Sequence, residues 1–473
     1  MKKRMILLFV ASLLVSACSE VDTRSYDDVS FTMPLIYYSK EGRVKDVDYT
    51  YSDRFFYRPS SSFDKKLAVV SLGLSDYISY PEKAIEAFDW IGYKNVYSSD
   101  YDVNSTVEDH ISYSFAYKVM NEVDAVICVA VRGFDYGNEW ASNFHIGESG
   151  NHKGFDVASS TVLAGLDKYV MDNSDELSSK NIKLWIHGFS RAGGTAGLLA
   201  SKIIDRIDDN KSPFAIAKNN VYCYTFEAPN NLDINNNKSY PNIHNIINPN
   251  DLIPMLPPTK YGFKRAGVEH LLDVSNIGGD VYAFDDSLVY QEFKEKQLSL
   301  SLKNLGYIDV KESNHNHAEF NQSFIDMLTA PCEDGKYIDI STREKYCENF
   351  EFGLSYMVRL FFSKGPFDGG PMFLKFFDDN MFDLAMALLT GRLSGLYNAF
   401  KQTFIEFEVE FDSDALMYAC SELENLLSYV IHDIGNLYNE KAIAFTTLAY
   451  NSDLLIQMHS PEFIMALLNG TIL

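Results

Sequence analysis

Ser190 sits in Ile186-His187-Gly188-Phe189-Ser190-Arg191-Ala192-Gly193-Gly194, after an apolar β-like run and before a helix of small residues. A serine hydroxyl becomes a useful nucleophile when a sharp strand-to-helix turn exposes it, and such a turn tolerates only small neighbours. Gly188, Ala192, Gly193 and Gly194 meet that demand. The competing reading is a serine that merely caps a helix. The hydroxyl also needs a base, and the base needs a carboxylate to fix its tautomer. Asp251 follows a short strand-like run in Ile246-Ile247-Asn248-Pro249-Asn250-Asp251-Leu252-Ile253-Pro254. Taken alone, that segment is equally a plain turn. His317, in Asn314-His315-Asn316-His317-Ala318-Glu319-Phe320, is the expected base, with His315 as the close alternative. Two surface histidines, or part of a metal site, are the other readings of that pair. The order serine, acid, histidine suits a strand-turn-helix nucleophile.

The elements around these residues must hold them. Ala125 to Val131, Ile182 to His187, Asn220 to Phe226 and Ile243 to Asn248 are short, uninterrupted apolar runs, as expected of strands buried on both faces. Pro81 to Trp90, Val107 to Met120, Ser159 to Met171 and Thr195 to Ile207 have helical spacing. Strands alternating with helices predict an α/β fold, a mainly parallel sheet flanked by helices, over residues 65–330. From 331 to 473 the apolar spacing is helical, with segments at Phe352 to Phe362, Met372 to Leu388, Leu393 to Phe407, Asp414 to Ile434 and Ala442 to Met458. This predicts an additional helical C-terminal region that packs on the core or caps it.

Five segments in order resemble the class 3 lipases, the fungal-lipase-like branch of the α/β-hydrolases. Val129-Ala130-Val131-Arg132-Gly133-Phe134, followed by Trp140, is similar to that family's strand ending in Arg-Gly-Thr. His152-Lys153-Gly154-Phe155 resembles its His-x-Gly-Phe, and His187 to Gly194 its Gly-His-Ser-Leu-Gly-Gly elbow. Tyr224-Thr225-Phe226-Glu227-Ala228-Pro229 is similar to Thr-Phe-Gly-x-Pro, and Asn250 to Pro257 to the Asp-x-Val-Pro-x-Leu-Pro acid loop. The resemblance implies a carboxylic-ester hydrolase, lipase or esterase, working through an acyl-enzyme of Ser190, His317 and Asp251 without metal or organic cofactor. It favours His317 over His315, because the family's histidine is followed three residues later by an aromatic, here Phe320. It implies an oxyanion hole of the backbone N–H groups of Phe134 and Arg191. Phe134 replaces a Thr or Ser whose hydroxyl adds a donor, which leaves a hydrolase-fold binding module as the alternative function. Phe189 and Arg191 stand where the family has His and Leu, so the pocket wall is expected to differ. The loop from Asp135 to Asn151 is short for a lid, and the C-terminal helices are expected to serve instead.

The N-terminus adds a location. Lys2, Lys3 and Arg4 precede an apolar run from Met5 to Ala17, too short to span a bilayer as a mature helix. Val15-Ser16-Ala17-Cys18 looks like a bacterial lipobox, which implies a signal peptide over 1–17 and lipidation of Cys18. A tether and lead-in over 18–64 would follow, with the protein lipid-anchored in the bacterial cell envelope on the extracytoplasmic side. The formal charge of −24, with no basic stripe, disfavours nucleic acid as a partner. The expected partners are an ester or lipid substrate and the membrane that holds the anchor. Cys128 and Cys223 read as core residues, and Cys332 and Cys347 flank a short polar segment as either a disulfide or two thiols. No cysteine spacing resembles a zinc site.

Overall fold

Four apolar runs lie side by side as parallel strands, because each is buried on both faces where they pair and joined to the next by a covering helix or a long crossover, and a fifth, largely exposed parallel strand lies at the edge. The computed structural model describes residues 28–36, 44–101, 109–133, 137–273, 317–329, 340–363, 372, 396–431 and 458–470. A hairpin of β1 (Asp28–Ile36) and β2 (Val44–Ser52) comes first. The central sheet contains β3 (Lys94–Ser98), β4 (Tyr113–Val119), β5 (Asp124–Val131), β6 (Asn181–Phe189), β7 (Ile216–Phe226), β9 (Ile243–Ile247) and β11 (Val268–Leu271). Its order is β11-β9-β7-β6-β5-β4-β3, parallel from β5 through β11 and antiparallel at the β3 and β4 edge. A two-residue pair, β8 (Leu232–Asp233) and β10 (Phe263–Lys264), closes a loop beside it.

Two layers cover the sheet. On one face lie the hairpin, α1 (Lys65–Tyr77) and α2 (Pro81–Trp90), packed against Val126, Cys128, Ala130, Trp185 and Tyr222. On the other, α3 (Lys153–Asp172) and α4 (Arg191–Asp208) pack against Ile127, Val129, Leu184, Ile186 and Cys223. Successive residues of β5 and β6 thus serve opposite layers, as the two-residue strand period requires. Asp64 caps α1, its Oδ1 accepting from the N–H groups of Lys66 and Leu67 at 3.0 and 3.2 Å.

The later helices are α5 (His317–Leu328), α6 (Arg343–Asn349), α7 (Glu351–Phe361), α8 (Leu396–Glu406), α9 (Ser413–Ile431) and α10 (Pro461–Gly470). Helices α7 to α9 share an apolar cluster of Met357, Leu360, Phe361, Phe400, Phe404, Leu416 and Ala419. Among the described residues, no helix is long and apolar enough to cross a membrane.

Two expectations change. The segment Val107 to Met120 contains strand β4 instead of a helix. Tyr113, Phe115 and Tyr117 point into the α3 layer while Ala116 faces the α1 layer. Both faces are buried, so the alternation is one of side-chain size and not of polarity, and it resembled helical spacing. The expected tether also contains folded structure from Asp28 onward. Met33, Leu35, Val47, Tyr49 and Tyr51 are buried, whereas Asp46, Asp48 and Thr50 are exposed, an alternation that seals the α1 layer.

Trp185 joins these pieces. It is fully buried, donates Nε1–H to Ser71 Oγ at 2.8 Å and meets Tyr51, Phe56 and Tyr93 at ring distances of 5.7–6.2 Å. Trp185→Ala is expected to cost about 3–5 kcal/mol, read from the denaturant midpoint of unfolding.

Candidate active site

Strand β6 ends at Phe189 and α4 begins at Arg191, so Ser190 alone makes the turn between them. Its backbone has φ 56° and ψ −125°, a left-handed φ that costs a non-glycine residue energy. Two hydrogen bonds hold it: Ser190 N–H donates to Phe226 O at 2.7 Å, and Gly194 N–H to Ser190 O at 3.1 Å. The small neighbours are obligatory. A Cβ on Gly188 would lie 2.5 Å from the Ala192 carbonyl oxygen, and one on Gly193 would lie 3.0 Å from Ala228 Cβ. Gly133, at the end of β5, allows the same close approach, since a Cβ there would sit 2.8 Å from Phe189 O.

The imidazole beside this serine belongs to His459. Its Nε2 is 2.7 Å from Ser190 Oγ, and its Nδ1 hydrogen-bonds Asp251 Oδ2. The tautomer that fits has Nδ1–H donating to the carboxylate and Nε2 accepting from the hydroxyl. Asp251 lies in the loop after β9, with Oδ1 accepting from Ile253 N–H at 2.9 Å. The acid loop is tied directly to the histidine segment: Asn248 Nδ2 donates to Met458 O at 2.8 Å. Asn321 of α5 donates to Asn250 O at 3.0 Å from the other side. Beyond His459, Pro461 opens α10, and Ser460 Oγ accepts from Phe463 N–H at 3.4 Å. Phe463, Ile464 and Leu468 bury α10 in the α1 layer. The Phe189 ring, 5.1 Å from the imidazole, walls the site.

Among the described residues, His459 is therefore the histidine in contact with Ser190 and Asp251, where the sequence pointed to His317. His317 opens α5, its side chain lying outside the described residues, as do all of His315 and Phe134. The helical spacing in the sequence ends its last segment at Met458, one position before His459. The available signal was a histidine followed by Ser460-Pro461, a helix-start pair, ahead of the apolar run Phe463 to Leu468. The helical region expected as a cap thus contributes the imidazole, and truncating it would remove more than a lid. Cys18 and Cys332 also lie outside the described residues, while Cys347 is a free thiol.

Arg191 does not line an open pocket wall. Its side chain is 1% exposed, with Nε donating to Ser142 Oγ at 2.6 Å and Nη2 to His110 O at 2.8 Å. Arg191 and Arg132 share Glu139, at 3.8 and 3.0 Å, and Glu139 Oε1 accepts from Ser112 N–H at 3.0 Å. Arg132 also lies over the Tyr101 ring, 5.0 Å from its centroid. This buried cluster pins the residue after Ser190, and the first turn of α4 presents N–H groups and the positive end of its dipole at the serine.

Other histidines serve the scaffold. His187 is buried between Ser75 and Cys128, and burial lowers its pKa to about 3. His152 stacks on Phe155 and is lowered to about 3 by burial. Glu227, Asp251 and His459 each bring one ligand-type atom within 4.8 Å of the others, a spacing a cation could use. Both His459 nitrogens are already committed, to Ser190 and to Asp251.

Residues 128–261 match the family model for lipase (class 3). No curated protein sequence matches the chain. Among solved structures, a triacylglycerol lipase described as having a serine-protease triad at its catalytic centre aligns at TM-score 0.34 and 20% identity, covering 45% of this chain and 83% of that one. The Rhizomucor miehei lipase–propeptide complex aligns at 0.32 and 22% identity, over 45% of this chain and 69% of that one. Lipase II from Rhizopus niveus aligns at 0.31 and 14% identity, over 44% and 78%.

Removing the shared carboxylate should expose how much the cluster matters. Glu139→Ala leaves two buried guanidinium groups without their counter-charge and is expected to destabilise the fold by about 3–5 kcal/mol. Arg132→Met/Glu139→Met/Arg191→Met should recover much of that loss in denaturant unfolding.

Proposed function

We propose that the protein is a carboxylic-ester hydrolase acting through a Ser190–His459–Asp251 triad. The observation that carries this reading is the pair of hydrogen bonds made by one imidazole, Nε2 accepting from Ser190 Oγ–H at 2.7 Å and Nδ1–H donating to Asp251. His459 accepts the Ser190 proton as Oγ attacks the ester carbonyl, and Asp251 stabilises the imidazolium that forms. The tetrahedral oxyanion is stabilised by the Arg191 N–H and the N-terminus of α4. Collapse of the intermediate expels the alcohol, which takes the proton from His459, and leaves an acyl group on Ser190. Water, deprotonated by His459, then attacks the acyl-enzyme and releases the acid. The match of residues 128–261 to lipase (class 3) supports an ester, including a lipid ester, as substrate. The assembled triad favours turnover over a binding module.

A fluorophosphonate probe tests the triad. Wild type should label on Ser190; Ser190→Ala should not label, and His459→Ala should slow labelling and p-nitrophenyl ester turnover by about 10⁴-fold or more. His315→Ala and His317→Ala should label like wild type. Full labelling in the His459 variant would overturn the assignment of the base.

The lipobox-like Val15-Ser16-Ala17-Cys18 supports a second element of the proposal, an extracytoplasmic, lipid-anchored enzyme. Cells expressing the full chain should incorporate labelled palmitate into it, and Cys18→Ser should abolish incorporation. Unchanged incorporation would remove Cys18 as the acceptor.

A further inference from the structure

The end of β7 places a second carboxyl group against the acid of the site. Glu227 follows Phe226 with φ 49° and is fully buried. The family pattern that this segment resembles, Thr-Phe-Gly-x-Pro, has glycine there, the residue a left-handed φ favours. Glu227 Oε1 accepts the Asn248 N–H at 2.7 Å. Among the described residues Oε2 has no hydrogen-bond partner, and Asp251 is the charged neighbour that helps to raise the Glu227 pKa. Glu227, Asp251 and His459 converge within 4.8 Å.

Two carboxyl groups that bring oxygens within 4.8 Å of each other out of water strongly disfavour double ionisation, and a hydrogen bond between them requires a proton on one. Asp251 accepts from His459 Nδ1–H and from Ile253 N–H, so its negative charge is the better stabilised. Glu227 receives one N–H, from Asn248. Burial first and the Asp251 charge second push its pKa well above the usual carboxylate range, and the Asn248 N–H and then the Arg265 charge oppose this more weakly. Arg265 is itself turned to Pro254 O and Glu269.

We propose that Glu227 is a positioning residue, a neutral acid whose O–H donates to Asp251 and fixes the carboxylate that orients His459. The proposal rests on the triad reading given above. Glu227 touches no reacting atom; it acts through Asp251. It supplies a third donor to a carboxylate that is 2% exposed, and its own neutrality keeps a second negative charge away from the imidazole.

The first test is independent of turnover. An infrared difference spectrum, wild type minus Glu227→Gln at neutral pH, should show the carbonyl stretch of a protonated carboxyl group, and the same band should appear in a Ser190→Ala background. A spectrum showing only carboxylate at that position overturns the proposal, whatever the enzyme hydrolyses. The second test is kinetic. Glu227→Gln keeps a donor that cannot titrate, so kcat should stay close to wild type while the alkaline limb of its pH profile moves upward. Glu227→Leu keeps the bulk without the donor, and kcat should fall about 10- to 100-fold, as when a hydrogen-bond partner behind a functional group is lost. A Leu variant as active as the Gln variant, with the same pH profile, would show Glu227 to be filling only. Failure of wild type to hydrolyse any ester would sink the triad reading and leave the infrared result to decide Glu227 alone.

Discussion

A histidine serves a serine only when both ring nitrogens are engaged, one by the hydroxyl and one by an acid that fixes the tautomer. His459 finds these partners 269 and 208 residues away along the chain. The site therefore exists only if the last described helix returns to the sheet and docks beside α1. Helix α10 does so with an almost wholly apolar face, and Lys65 Nζ at the start of α1 donates to Asn469 O at 3.2 Å near its end. Asn248 completes the link by tying the acid loop to the carbonyl just before His459. Burial of α10 supplies the energy; Asn248 supplies the registration. Neither suffices alone, since an apolar helix can slide by a residue where a directed hydrogen bond cannot.

The sheet gathers the remaining parts because its parallel strands all end on one side. Ser190 follows β6, Glu227 follows β7, and Asn248 and Asp251 follow β9, neighbours in the strand order. Two of these strand ends carry positive φ, at Ser190 and Glu227, both on non-glycine residues. Strain of this kind persists only where surrounding contacts over-determine it. Here those contacts are the Phe226 carbonyl gripping Ser190 N–H, the Ile246 carbonyl gripping Glu227 N–H at 3.0 Å, and glycines that let α4 press on the strand.

Much of this was legible in the sequence, and the reasons are local. The elbow declares itself because steric demand leaves small residues within a few positions of the serine. Asp251 stands in a turn directly after its strand, and the resemblance of Asn250 to Pro257 to a family acid loop singled it out. The buried strands β5, β6, β7 and β9 were visible as continuous apolar runs. What escaped was either non-local or masked by burial. His459 belongs to the site through a helix docked from the far end of the chain, and no periodicity near Ser190 encodes that. Strand β4 lost its signature because both faces are buried. Arg191 looked like a pocket residue, since nothing beside it in sequence announces Glu139 or Arg132. Glu227 stood in a resembling motif as an odd letter, and its approach to Asp251, within 4.8 Å, spans two adjacent strand ends.

The charges around Ser190 follow from the same architecture. Arg132 and Arg191 share a single buried carboxylate, so the group anchored at the first residue of α4 is net cationic, and the α4 dipole has the same sign. At the ends of β7 and β9 the acid pair carries one negative charge if Glu227 keeps its proton. The serine lies between its cationic anchor in sequence and its acid partner in space. In the proposed reaction, negative charge would grow on the carbonyl oxygen at the positive end of the α4 dipole, and positive charge on His459 beside the Asp251 carboxylate. Those charges are paid for in folding and need not reorganise during the reaction, which is how a preorganised site lowers a barrier. The cost falls on stability, in two guanidiniums and three carboxyl groups taken out of water. That cost explains why the chain encloses them so completely, with Arg132 and Glu227 fully buried. Partial exposure would lower the cost and weaken the field together, because water that stabilises a buried charge also screens it.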